Sequence, residues 1–312
     1  MAGLYYYRTD AKTDRLARTG TQGFLLFGSP NNTVLPSAGT VLTENIALYA
    51  NLTYDILPNL ELGAGFRLSR ETKKATFEIN GSTLPILGIA TGSFADKRKD
   101  EDFSPSVTLT YKLSSEISAY ARYAEGYKSG GYNLDFVSAA SFPNGIEFDK
   151  ETVKNYELGL KGSVEGGRLT FALAGFVANY SDFQINQFRD LGGGRTAIVI
   201  GNAATVKTKG IEFEMTARPA RGLTLAGGIG FLKADYDNLP LDPVTIVSGK
   251  LPNAPDAQAS GSIEYETAVG SSLRLSSNFT YTYAATISRA STIFGRPRWA
   301  RQPGPLPFPT TA

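Results

Sequence analysis

Polar and apolar residues alternate with a period of two through most of this chain. Val107, Leu109, Tyr111 and Leu113 interleave with Ser106, Thr108, Thr110 and Lys112, and Ile211, Phe213 and Met215 interleave with Glu212, Glu214 and Thr216. Successive side chains of a strand point to opposite faces, so each run predicts a ribbon with one apolar and one polar face. About eleven strands can be drawn in this way. Tight turns are expected at Leu57-Pro58-Asn59, Ser114-Ser115, Glu165-Gly166-Gly167, Pro219 to Gly222 and Ala268-Val269-Gly270. Between them fall long polar stretches, read as loops through about residue 40 and at roughly 79–101, 126–149, 189–201 and 237–256. Loops of that length are uncommon in compact soluble domains. Transmembrane barrels have this rhythm, with short periplasmic turns and long extracellular loops. The expected fold is therefore all-β, an antiparallel transmembrane barrel. A soluble sandwich would alternate too, with its polar face as the outer surface.

Composition narrows the chemistry. The chain has 312 residues, 42% of them hydrophobic, and no apolar run approaches the ~18 residues that a spanning helix needs. Barrel strands hide their apolarity in every second position, so this does not exclude a membrane. The net charge of +2, from 31 basic and 29 acidic residues, offers no nucleic-acid surface. Cysteine and histidine are absent. No disulfide, thiolate site, His-containing zinc site or Ser-His-Asp triad can be built. No Gly-x-Ser-x-Gly elbow is present either, and no enzyme, metal site or cofactor is expected. Gly192-Gly193-Gly194 lacks the Gly-Lys-Ser/Thr of a phosphate cradle and reads as a loop tip. Asp96, Asp100, Glu101 and Asp102 could be weighed as Ca²⁺ ligands. Interleaved Lys97, Arg98 and Lys99 neutralise them, so a solvated loop is the expectation. Tyr5 to Tyr7, Tyr49, Tyr54, Tyr111, Tyr123, Tyr180, Tyr281 and Tyr283 fall near strand ends, where interfacial belts favour amphipathic rings.

The last stretch departs from the pattern. Residues 286–312 are rich in proline, from Gly295-Arg296-Pro297 to Pro309, and proline cannot donate to a ladder. The expected division is a barrel segment over 1–285 and a non-barrel tail over 286–312, as a truncation or a shifted reading frame would leave. The N-terminal Met1-Ala2-Gly3-Leu4 opens no signal peptide, so export would require an upstream start or a longer parent chain.

Three segments resemble TonB-dependent receptors. They are Ala119-Tyr120-Ala121-Arg122-Tyr123-Ala124-Glu125-Gly126-Tyr127-Lys128-Ser129-Gly130-Gly131-Tyr132-Asn133, then Glu151 to Gly162, and then Gly201-Asn202-Ala203-Ala204 with Lys209-Gly210-Ile211-Glu212-Phe213-Glu214. The resemblance covers roughly residues 1–285 and is to the C-terminal part of the barrel. It implies a partial barrel, about eleven of the family's ~22 strands, located in the cell outer membrane against lipid. It implies uptake of a small ligand such as a ferric siderophore. No plug domain or TonB-contacting box is read here, so the TonB system would act only through a plug domain absent from this chain. A barrel arc has open edges, and an arc alone is expected not to insert stably. The alternative reading is a porin-like passive channel or an inert remnant of a split receptor gene. Ligand contacts are expected from the extracellular loops at Tyr127, Lys128, Tyr132, Asn133, Gln187, Arg189 and Arg195. Aromatic and cationic side chains suit an anionic iron chelate. In the simpler reading Gly130 and Gly131 supply turn conformations, Tyr127 belongs to the aromatic belt and the cations face water.

Overall fold

The computed structural model describes residues 1–22, 31–80, 91–134, 146–192, 195–240 and 246–285. The described residues form fourteen strands: β1 (Ala2–Arg18), β2 (Val34–Leu57), β3 (Leu60–Ile79), β4 (Gly92–Lys112), β5 (Ile117–Lys128), β6 (Gly131–Tyr132), β7 (Glu147–Phe148), β8 (Glu151–Val164), β9 (Leu169–Gly192), β10 (Arg195–Ala220), β11 (Leu223–Pro240), β12 (Ile246–Lys250), β13 (Ala257–Val269) and β14 (Leu273–Ala284). One antiparallel sheet runs β1-β2-β3-β4-β5-β8-β9-β10-β11-β13-β14, with β12 paired to β11 and β6 to β7 apart from it. Each strand of the main path lies beside its sequence neighbour, as in an up-and-down barrel wall. Among the described residues β1 and β14 each pair on one side, so the wall is an arc and not a closed ring.

The register aligns the alternation across every strand. On one face Ile263 of β13 stands beside Leu225 of β11 and Phe279 of β14, and Ile211 of β10 stands beside Phe231. Leu62 of β3 likewise meets Leu109 of β4. This apolar face is open: Leu158 is 68% exposed, Phe279 65% and Leu275 54%. A water-soluble protein would bury such a surface; here it is the lipid-facing wall. On β4 it runs from Phe103 to Tyr111, roughly 27 Å along the strand at ~3.4 Å per residue. A strand tilted by ~40° carries that length across a hydrophobic band of about 20 Å. The opposite face carries Thr280, Asn278 and Arg274 on β14 and Glu212 and Glu214 on β10, in register with the small Gly228 and Gly230 of β11. The short turns fall where expected, and three rest on glycines with positive φ: 62° at Gly166 and 86° at Gly167, 78° at Gly222, and 70° at Gly270.

The strands are taller than the alternation predicts. Residues 92–101, read as loop, form the upper half of β4, paired to β3 up to Ile79↔Gly92. Residues 189–192 and 195–201 belong to β9 and β10, paired to Arg195↔Gly192. The 237–256 loop contains the end of β11 and the returning β12. Above the bilayer the outer face turns polar and the inner face mixes charges with apolar residues such as Phe77 and Phe94, so the period persists in the backbone but fades from the hydropathy. The aromatic belt also needs correction. Tyr6, Tyr54, Tyr111, Tyr281 and Tyr283 lie on the lipid face, whereas Tyr5, Tyr7, Tyr49 and Tyr180 share the register of the inner face. The proline-rich tail from 286 lies outside the described residues.

One ladder stops short. The β4–β5 pairing ends at Ser106↔Ala124, although β4 continues to Gly92 and β5 to Lys128. The sheet therefore parts above this point into a β1–β4 flank and a β5–β14 flank.

An arginine at the centre of the lipid face tests the assignment. Leu158→Arg in the lipid-inserted protein is expected to lower folding stability by ~2–4 kcal/mol. Thr280→Arg, on the inner face, should change it far less. Denaturant titrations in lipid vesicles measure both.

Candidate functional site

The described residues between β5 and β8, 129–134 and 146–150, fold back as a strap across the inner face, carrying the β6–β7 pair (Gly131↔Phe148 and Tyr132↔Glu147). Arg98 of β4 is the main fastening. Its Nε donates to Asp100 Oδ2 at 3.0 Å and its Nη2 to Asp100 Oδ1 at 2.7 Å, a two-pronged pair. Its Nη1 donates to Glu147 Oε1 at 2.6 Å and to the Phe148 carbonyl at 2.7 Å. Arg98 and Asp100 are both buried. Burial works against the Arg98 charge, but Asp100 and Glu147 overcome it and hold its pKa above the usual value.

Lys73 of β3 supplies a second fastening. Its ammonium donates to Ser129 Oγ and to the Gly130 carbonyl, both at 2.6 Å, and pairs with Glu71 at 2.9 Å. The Gly130 N–H donates to Asp100 Oδ2 at 3.2 Å. A Cβ on Gly130 would collide with the Arg98 guanidinium and the Phe148 carbonyl, so close approach and not a turn demands glycine there. Burial pushes Glu71 up, but bonds with Lys73, Ser129 and Asn45 outweigh it and hold its pKa below 4.5.

On the other side the strap is tied to the β9–β10 hairpin. Gln184 donates from Nε2 to the carbonyls of Ser129 and Asp149, each at 3.0 Å, and its own N–H donates to Glu151 at 2.8 Å. Asn202 accepts from the Asp149 N–H at 2.6 Å and donates to the Asp149 carbonyl at 2.8 Å. Beneath the strap Ile146 and Val199 are buried among Phe94, Tyr132 and Leu134, and Leu35, Phe77 and Ile79 form an adjoining cluster. The strap thus has its own small apolar core on an otherwise polar wall.

The expected site residues separate into two groups. Tyr127 and Lys128 lie on β5 and not in a loop, and the Lys150 ammonium stands 5.9 Å from the Tyr127 ring centre. Tyr132 packs edge-on against Phe94 with ring centres 5.6 Å apart. Asn133 accepts from the Ile200 N–H at 2.7 Å and donates to its carbonyl at 2.8 Å. Gln187, Arg189 and Arg195 lie on strands β9 and β10, with Gln187 paired to Val199 and Arg189 to Ala197. Their side chains lie outside the described residues. Asn133 therefore joins the strap to the hairpin that carries the other group.

The acidic cluster is not a solvated loop. It is strand, and alternation splits it: Arg98, Asp100 and Asp102 face the strap, whereas Lys97, Lys99 and Glu101 face outward. Both Asp100 oxygens are taken by Arg98, and Asp102 pairs with Lys150 at 3.1 Å and accepts from Ser104 at 2.7 Å. Hydropathy carries no trace of this, but the order of charges in Lys97-Arg98-Lys99-Asp100-Glu101-Asp102 does once it is read with a period of two.

Comparison with known proteins adds a family pattern. A family model described as TonB dependent receptor-like, beta-barrel matches residues 1–304. The pesticin receptor of Yersinia enterocolitica is 27% identical over 212 residues, 68% of this chain and 29% of that receptor. The ferric-pyoverdine 358 receptor of Pseudomonas putida is 28% identical over 144 residues, 45% of this chain and 16% of that receptor. The chain matches less than a third of the length of these curated relatives. Among solved structures, the ferric yersiniabactin uptake receptor FyuA from Yersinia pestis shares the fold with a TM-score of 0.68 at 20% identity, over 91% of this chain and 39% of that one. The siderophore receptor PiuA from Acinetobacter baumannii does so with a TM-score of 0.63 at 16% identity, over 90% and 42%.

Two outcomes test the strap. Asp100→Ala leaves Arg98 buried without its two-pronged partner, and local stability should fall by ~3–5 kcal/mol. Faster hydrogen exchange at Gly130 and Asn133 would register it, while the exposed Glu101→Ala should leave those amides protected. The second outcome concerns pH. A carboxylate whose folded pKa lies below 4.5 contributes fully above 4.5 and loses its contribution as pH falls through the folded value. Strap protection should therefore decline with acidification in that window, and Glu71→Gln should remove that component of the decline.

Proposed function

The chain belongs to the TonB-dependent receptor-like β-barrel family, an outer-membrane family of receptors rather than of enzymes, and on that premise we propose that it forms the wall of a ligand-gated receptor for a ferric siderophore. The observation that carries this reading is the strap. A segment with aromatic, amide and cationic side chains is held against the inner wall at the level where the strands rise above the lipid band. A passive pore has no need for so many fastenings at its mouth. The relatives described as ferric-pyoverdine and ferric yersiniabactin receptors support the choice of an iron chelate.

In this reading Lys128, Gln187, Arg189 and Arg195 contact the ligand by charge-assisted hydrogen bonds, whereas Tyr127 shares the outer-face register of Tyr123 on β5 and belongs to the aromatic belt. Tyr132 and Asn133 position them by fixing the strap to Phe94 and Ile200. We propose that residues 1–285 carry the wall. The inner-membrane TonB system would reach this wall only through a plug domain. The polar inner faces of β10 to β14 then line the path of the cargo.

Binding by the receptor polypeptide that carries this wall is the test, with a panel of radio-iron-loaded catecholate, phenolate and hydroxamate siderophores. Joint replacement of Lys128, Gln187, Arg189 and Arg195 by alanine is expected to weaken the bound chelate by at least roughly tenfold, the loss of one or two good charged contacts. Unchanged affinity would remove the site. Uptake that continues after the inner-membrane proton gradient is collapsed would replace the gated receptor by a passive channel.

A further inference from the structure

The early end of the β4–β5 ladder has a cause in the sequence. On β4 the Lys112 amide donates to the Asn59 carbonyl on the β3 side, and the Leu113 amide donates to the Ile117 carbonyl on the β5 side. Backbone groups of an antiparallel strand alternate between its two neighbours, so the odd-numbered residues of β4 face β5. The register that ends at Ser106↔Ala124 would next set residue 105 opposite Glu125. That residue is Pro105, which has no N–H to give. Toward β3 the same proline is harmless, because its pair with Phe66 exchanges no backbone bond. The break also falls where the lipid-facing run of β4 ends at Phe103. The backbone groups it leaves open therefore face headgroups and water and not hydrocarbon.

Above Pro105 the strap stands in for the missing bonds. Lys150 donates to the Glu101 carbonyl at 2.7 Å, an odd-numbered carbonyl aimed at β5, and to Asp102 Oδ1 at 3.1 Å. Lys150 ends the strap on the luminal side, yet it lines the same groove of about 720 Å³ as Leu4, Leu48, Leu68 and Phe103 of the outer face. Only an interrupted wall lets one ammonium serve both sides. The strap as a whole bridges the interruption. Lys73 and Arg98 hold it to β3 and β4, and Gln184 and Asn202 hold it to β9 and β10. These fastenings differ in access. The Arg98 side chain is 5% exposed and that of Lys150 35%, so water and solutes reach the Lys150 link first.

We propose that β4 and β5 form a lateral seam in the wall, opened by Pro105 and held shut by the strap through Lys73 and Lys150, so that displacing the strap widens the mouth sideways. The β1–β4 and β5–β14 flanks then turn apart about Ser106 and Ala124, while the ladders below stay paired. The width of the mouth is thus set by the contacts of the strap and not by the sheet.

The test places spin labels on the receptor polypeptide that carries this wall, reconstituted in phosphatidylcholine vesicles; the wall has no cysteine of its own. An upper pair, Lys74→Cys on β3 with Thr152→Cys on β8, spans the seam above the break. A lower pair, Leu62→Cys with Leu158→Cys, spans the same strands within one row below it. Pulsed spin resonance reads both distances. The joint variant Lys73→Gln, Lys150→Gln should lengthen the upper distance by roughly one strand spacing, ~5 Å, and leave the lower one unchanged. Pro105→Ala restores the amide opposite Glu125 and should shorten the upper distance instead. An upper distance that the joint variant leaves unchanged would overturn the proposal. So would one that rises together with the lower distance, because the wall would then be loosening throughout. An upper distance indifferent to Pro105→Ala would also overturn it, since the break would not come from the proline.

Discussion

A bilayer offers no water to backbone N–H and C=O groups, and that constraint governs everything else in this chain. Each polar backbone group at membrane depth must find a partner in a neighbouring strand. The long antiparallel ladders from β1 to β14 answer that demand, and the strict alternation follows from it. Once the ladder is fixed, side chains can sort only by face. Ile263, Leu225 and Phe279 share one face with lipid, while Glu264, Thr224 and Asn278 share the other with water.

Above the lipid the constraint relaxes and the chain uses its freedom. The same strands continue with charged residues on both faces, and the inner charges become fastenings. Arg98 serves Asp100, Glu147 and the Phe148 carbonyl at once. A buried arginine with that many acceptors is well satisfied, whereas the same arginine with one acceptor removed would be a liability. The strap is held by a few high-stakes polar contacts over a small apolar floor.

The membrane-spanning part was legible in the sequence because its physics is periodic. Val107-Thr108-Leu109-Thr110-Tyr111 announces a strand and its two faces in five residues. Gly166, Gly167 and Gly222 mark their turns because positive φ leaves few alternatives to glycine. The upper strands were not legible by hydropathy, since Lys97 to Asp102 are uniformly polar though they alternate between a buried and an open face. The strap resembles a loop in sequence for a related reason. Its anchors are long-range pairs such as Arg98 with Glu147 and Asn133 with Ile200, and no local pattern encodes a partner tens of residues away. Tyr127, Lys128, Tyr132 and Asn133 share one sequence motif, and the geometry divides them between wall and strap.

The early end of the β4–β5 ladder gives this wall an uneven mechanical character. Below Ser106 and Ala124 neighbouring strands are joined by a regular row of backbone hydrogen bonds. Above it the two flanks are joined by side chains: Lys150 reaching the Glu101 carbonyl, Asp100 receiving the Gly130 amide, and Arg98 gripping the strap. Such links are fewer and depend on ionic strength in a way that a ladder does not. The rim is consequently the compliant part of a stiff cylinder segment, and warming or lateral tension will splay it there first while the belt embedded in the membrane keeps its shape.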